Sequence, residues 1–167
     1  MKLTNAPILM VEDDPNDVLL IQRAFQKAGV DTPLRTARDG TEALAYLTGA
    51  GEYHDRDAHP FPVLVLLDLK LPGGSGFEVI SAIRARPELR RLPVVVLTSS
   101  RQIEDVNQAY DVGASSYLVK PVAFEALHRL LATFGHYWLN FNTPPSFPTI
   151  GSSNREHRPP PPHATRT

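Results

Sequence analysis

Val63-Leu64-Val65-Leu66-Leu67-Asp68-Leu69-Lys70-Leu71-Pro72-Gly73-Gly74-Ser75-Gly76 is the stretch that decides the fold. An unbroken aliphatic run rich in valine and leucine reads as a strand buried on both faces of a parallel sheet. Pro72 and the glycines after it mark an abrupt turn. Asp68 is therefore an ionisable group at the carboxyl end of a buried strand, where open α/β sheets place their chemistry. Taken alone, such an aspartate is more often a turn residue or helix cap. The flanking sequence decides between these readings.

Working outward, short apolar runs alternate with helical patterns. Ile8-Leu9-Met10-Val11 reads as a first strand, and Pro15 to Phe25 as a helix with proline at its first position and Gly29 as its stop. Leu34-Arg35-Thr36-Ala37 is a short second strand, followed by a helix from Thr41 to Leu47. After the strand that ends at Asp68, a helix spans about Gly76 to Ala85. Pro93 to Thr98 reads as a fourth strand, Ile103 to Val112 as a fourth helix, and Ser116 to Lys120 as a fifth strand. A final helix is expected from about Ala123 to Leu139. This alternation predicts βαβ units and a doubly wound parallel sheet covered on both faces.

The 167 residues suit one domain with some terminal extra. A formal net charge of -1 with interspersed signs gives no basic footprint for nucleic acid. The absence of cysteine excludes disulfides, thiolate metal sites and cysteine nucleophiles. The start of the chain lacks the apolar core of a signal peptide, and no apolar stretch approaches membrane-spanning length. A cytoplasmic location is expected. Gly49 to Pro60 is a long polar loop whose His54, Asp55, Asp57 and His59 imitate a metal cluster. Their irregular spacing favours a flexible, solvated loop instead. The expected boundary lies at 142, with a disordered tail over 143–167 whose Pro159–Pro162 run cannot bury an apolar face.

Polar groups stand at the strand ends: Glu12-Asp13-Asp14, Asp68, Thr98-Ser99, and Lys120-Pro121. In a sheet ordered 2-1-3-4-5, strands one and three are neighbours and the winding reverses between them, so the crevice there is the expected ligand site. Glu12, Asp13 and Asp68 converge in it. Three carboxylates so close repel one another without a cation, and hard oxygen ligands point to Mg²⁺ or Mn²⁺. Asp14, beside Pro15, reads as a helix-start residue.

These residues resemble the receiver domain of bacterial response regulators, the phosphoryl-accepting half of two-component signalling. The likeness runs from about Pro7 to Leu131 and comprises Glu12-Asp13, Asp68 with Pro72 and Gly76, Thr98, and Gly113 to Pro121. It implies a flavodoxin-like (βα)5 fold in which Asp68 is the phosphoacceptor. It further implies Mg²⁺ held by Glu12, Asp13, Asp68 and the backbone carbonyl of Lys70. Lys120 and Thr98 would contact the phosphoryl oxygens, and Tyr117 would move with Thr98 as the switch. Lys70 and Ser100 would line the path of the hydrolytic water. In the family a cis peptide precedes the equivalent proline, so Lys120–Pro121 is expected to be cis.

A haloacid-dehalogenase-type phosphatase also uses an aspartate at a strand end, but it needs a second aspartate where this chain has Lys70. A nucleotide-binding module would want glycines where Glu12-Asp13-Asp14-Pro15 stands. The remaining alternative is a degenerate receiver acting as a phosphorylation-independent binding module. Such proteins usually lack one of the acids or the lysine, whereas this chain has all of them. No output domain is expected after Asn142, so the protein is read as a signalling phosphoacceptor rather than an enzyme, acting on a downstream protein.

Several local features are similar to the single-domain regulators that partner phytochrome-type histidine kinases. They are Val11 to Asp17, Gly51-Glu52-Tyr53, Val96 to Ser100, Lys120-Pro121-Val122 with Phe124, and Tyr137-Trp138-Leu139. The resemblance implies a phytochrome as the sensor kinase. It agrees with a homodimer built on the fourth helix, fifth strand and last helix. The interface is expected at Phe134, Tyr137, Trp138, Leu139 and Phe141, because the apolar stripe is too wide to pack on one sheet.

Overall fold

A computed structural model describes residues 6–147. The strands are β1 (Ile8–Val11), β2 (Leu34–Ala37), β3 (Leu64–Leu67), β6 (Val94–Thr98) and β7 (Ser116–Val119), while Lys70–Leu71 (β4) and Gly74–Ser75 (β5) form a small antiparallel ladder. The helices are α1 (Pro15–Lys27), α2 (Gly40–Thr48), α3 (Gly76–Ala85), α4 (Ile103–Asp111) and α5 (Phe124–Gly135). The large sheet is all parallel in the order β2-β1-β3-β6-β7, which is 2-1-3-4-5 when its own strands are counted.

Side-chain alternation divides the core. Leu9, Val11, Val65, Leu67, Val94 and Val96 face one way and pack with residues of α2 and α3. Ile8, Met10, Leu64, Leu66, Val95 and Leu97 face the other way, against α1 and α5. The three central strands are buried on both faces, which accounts for their lack of polar alternation.

Local chemistry sets the boundaries. Asp14 caps α1, its side chain accepting from the Asn16 amide at 2.8 Å, as its helix-start reading requires. Ser75 and Glu78 form a capping box at α3. Arg56 closes α2 at the other end, donating to the carbonyls of Tyr46 (2.7 Å) and Leu47 (2.8 Å).

That arginine overturns the flexible reading of the polar loop. Gly51–His54 is a 3₁₀ turn, and Tyr53 and His59 stack edge-on with ring centroids 5.1 Å apart. The Tyr53 hydroxyl donates to Glu42 at 2.9 Å. The half-buried Arg56 thus ties the segment to the carbonyls of the last turn of α2.

Two further expectations are corrected at the carboxyl end. The last helix does not continue as α-helix to Leu139: α5 ends at Gly135 and a π-helical turn covers His136–Phe141. The ordered chain also continues past Asn142, where a tail was expected to begin. Phe147 stacks on Phe61 with centroids 4.9 Å apart, so residues 142–147 carry the chain from the α5 side to the other core. Residues 148–167, including the Pro159–Pro162 run, lie outside the described residues.

Candidate phosphoacceptor site

Parallel register brings the site together. Val11 pairs with Leu67, Leu67 with Val96, and Thr98 with Val119, so the next residues of each strand emerge along one edge. The ladder bonds continue into the site: the Asp68 amide donates to Val11 O (3.1 Å) and the Lys120 amide to Thr98 O (2.7 Å). Gly76 allows the close approach of α3. A Cβ there would lie 2.5 Å from the Asp68 carbonyl oxygen and 2.8 Å from Leu69 Cα.

Lys120 is the hub. Its Nζ donates to Glu12 Oε2 at 2.8 Å, Asp68 Oδ2 at 2.8 Å and Asp17 Oδ2 at 3.0 Å. An ammonium has three N–H donors, so all are engaged. No described peptide bond is cis, and Lys120–Pro121 is therefore trans, contrary to expectation. The flexible four-carbon stem of lysine brings the charge into the crevice from a trans backbone.

The charges perturb one another. Burial, then contact with Asp68, pushes Glu12 up to about 7 against the pull of Lys120. Burial also acts to raise Asp68, but its hydrogen bonds with Glu12 and Lys120 prevail and hold it below the usual aspartate range. Burial opposes the charge on Lys120, yet its bonds to Asp68 and Glu12 hold it above the usual lysine range.

Of the expected acids, Glu12 and Asp68 meet at Lys120. Asp13 is exposed and stands outside the carboxylate group formed by Glu12, Asp17 and Asp68. Asp17 was missed. The available signal was its place in the first turn of α1, where side chains tilt back toward the strand end.

Thr98 is wholly buried at the end of β6, and its Oγ1 accepts from the Ser100 amide at 3.5 Å. The half-buried Tyr117 donates its hydroxyl to Ser100 O at 3.0 Å, linking β7 to the loop that follows Thr98. Ser100 itself donates to Asp105. Lys70 is exposed, and its amide donates to Asp68 Oδ1 at 3.1 Å.

The C-terminal residues divide into two sets. Phe134 is buried, edge-on to Phe25 at 5.9 Å, and is removed from the expected interface because its own core occupies it. Trp138 and Leu139 pack partly on the same core, whereas Tyr137 and Phe141 are exposed.

Residues 8–132 match the response regulator receiver domain family. The chain belongs to that family. It is 42% identical over 138 residues to the probable methanogenesis regulatory protein FilR2 of Methanothrix harundinacea, covering 83% of this chain and 86% of that protein. It is 38% identical over 139 residues to the response regulator Rcp1 of Synechocystis, covering 83% and 92%. Among solved structures, the phosphorylated cyanobacterial phytochrome response regulator RcpA superposes with a TM-score of 0.78 at 38% identity, covering 85% of this chain and 99% of that one. The Mn²⁺-bound form of Rcp1 superposes at 0.75, with 38% identity and coverage of 84% and 99%. The receiver fold and the likeness to phytochrome regulators stand on these matches.

Proposed function

We propose that this receiver accepts a phosphoryl group on Asp68 from a sensor histidine kinase, and that the modification switches a protein–protein contact. The observation that carries the reading is the meeting of Asp68, Glu12 and Lys120 in the crevice between β1 and β3. An Asp68 carboxylate oxygen forms the new bond to phosphorus while the bond from phosphorus to the donor's histidine nitrogen breaks. Lys120 then directs an N–H to a phosphoryl oxygen, and the Thr98 hydroxyl donates to another.

The carboxylates fit a divalent cation. Oxygens of Glu12, Asp17 and Asp68 lie within 4.8 Å of one another around a positive charge. Such hard donors suit Mg²⁺ or Mn²⁺, and the Mn²⁺-bound form of Rcp1 supports this. Glu12, Asp13, Asp68 and the Lys70 carbonyl are the residues proposed to hold it. The cation supplies the positive charge that lets one anion approach another.

Exposed apolar side chains near the site support a protein donor: Leu19 and Leu20 on α1, and Val122 just after Lys120. The likeness to Rcp1 and RcpA favours a phytochrome-type kinase. A cytoplasmic location follows from that partnership, and no described helix is long and apolar enough to cross a membrane. A homodimer through the face of α4, β7 and α5 is supported by exposed Ile103 and Tyr110 on α4, with Tyr137 and Phe141 beyond α5. Mass spectrometry after incubation with acetyl phosphate and Mg²⁺ should show a single phosphate adduct, absent from Asp68→Asn. Stable uptake by that variant overturns the assignment. No uptake by the unaltered protein favours a phosphorylation-independent binding module.

A further inference from the structure

We propose that Asp17 is a positioning residue for Lys120: it is the counter-ion that keeps the ammonium at the site when Glu12 and Asp68 turn to a divalent cation. This rests on the phosphoacceptor reading. The three N–H donors of Lys120 are all engaged by carboxylates, so none is free for a phosphoryl oxygen. At least one contact must be given up before the lysine can act.

The three partners differ in a way that selects which contact stays. The Glu12 and Asp68 side chains are 3% and 10% exposed and belong to the proposed cation pocket. The Asp17 side chain is 38% exposed and rises from the first turn of α1, at the solvent side of the same carboxylate group. With Glu12 and Asp68 holding a cation, its charge would repel Lys120 and leave the ammonium with Asp17. One oxygen of Asp17 then holds the ammonium, and the two N–H groups released from Glu12 and Asp68 become available to the phosphoryl group. Asp17 thereby lowers the competition of Lys120 for the pocket and fixes where the ammonium waits.

A double-mutant cycle tests this on the full chain. Mg²⁺ affinity is measured by calorimetry for the unaltered protein, Asp17→Asn, Lys120→Met and the double variant, with phosphate uptake from acetyl phosphate as a second readout. Asp17→Asn should weaken Mg²⁺ binding and slow uptake by about three- to five-fold, the size expected for a half-exposed ion pair. With Met at 120 the same change should have no effect on Mg²⁺ affinity. Asp17→Glu, which keeps the carboxylate, should recover most of the loss. An equal loss in both backgrounds makes Asp17 a direct ligand or a distant charge and overturns the proposal, as does no loss with Lys120 present. These results differ from failure of the phosphoacceptor reading, in which the unaltered protein takes up no phosphate on Asp68.

Discussion

Lys120 Nζ and Asp68 Oδ2 are 2.8 Å apart although 52 residues separate them in the chain. The contact joins the ends of β3 and β7, which are not neighbours in the sheet, across the intervening β6. Lys120 also neutralises Glu12, so its removal leaves two carboxylates buried without a cation. Breaking a buried pair from one side costs about 3–5 kcal/mol, and proton uptake by Glu12 limits the loss here. Lys120→Met should therefore destabilise the metal-free protein by at least ~2 kcal/mol near neutral pH. Urea unfolding with a chelator present measures this, and an unchanged midpoint contradicts the proposed hub.

Glu12 gives that site a pH signature. Its folded value lies at about 7 against an ordinary 4.5, so between these limits the folded state holds a proton that the unfolded chain has lost. Stability supplied by that proton is full below the lower value and disappears as pH rises through the upper one. Glu12→Gln has no such proton to lose. In metal-free protein it should match the parent near the lower limit and become the more stable of the two above about pH 7. A constant difference across the window contradicts the assigned shift.

What was legible in the sequence followed from pattern. The aliphatic runs at Ile8–Val11, Leu64–Leu67 and Val94–Thr98 cannot be solvated, and their spacing leaves only a parallel sheet with helical crossovers. Glu12, Asp68 and Lys120 were legible because strand ends share an edge once the order is fixed. Asp17 was not legible because sequence position does not tell which side chain of the first helical turn faces the crevice. Arg56 reads in sequence as one more charge in a polar loop, and only the position of α2's last carbonyls shows its role. Phe147 lay beyond the apparent end of the domain, and its partner Phe61 is far away in sequence.

The approach of α3 to the Asp68 strand end depends on Gly76. Adding a methyl group there creates contacts of 2.5 and 2.8 Å with main-chain atoms, which cannot swing aside as a side chain would. Gly76→Ala should cost about 1–3 kcal/mol and displace the Asp68 carbonyl along with the turn. Thermal unfolding together with phosphate uptake tests it: both should fall. A variant with the parent's stability and uptake shows that α3 has room to move.

Phe147 predicts a stability contribution from beyond the family match, which ends at residue 132. Its ring packs on Phe61, just ahead of β3, at the opposite end of that strand from Asp68. Phe147→Ala should lower stability by about 1–3 kcal/mol, less than a fully buried phenylalanine because the site is half-exposed. A chain that ends after Asn142 should be less stable by as much than one that ends after Phe147. Equal stability of the two truncated proteins shows that Phe147 does not support the fold.

Tyr137 and Phe141 bear on the proposed dimer because they are 53% and 68% exposed while their neighbours Phe134 and Trp138 turn inward. The π-helical turn is what separates them from the inward set, since it breaks the register that α5 would otherwise have continued. Two exposed aromatics on one turn are surface that a twofold axis would bury from both subunits. Because neither residue supports the core, Tyr137→Ser with Phe141→Ser should leave the thermal midpoint near that of the parent. The same variant should sediment as a monomer at concentrations where the parent sediments as a dimer. If the parent is monomeric both with and without phosphate on Asp68, the proposed dimer is wrong and this patch serves another contact.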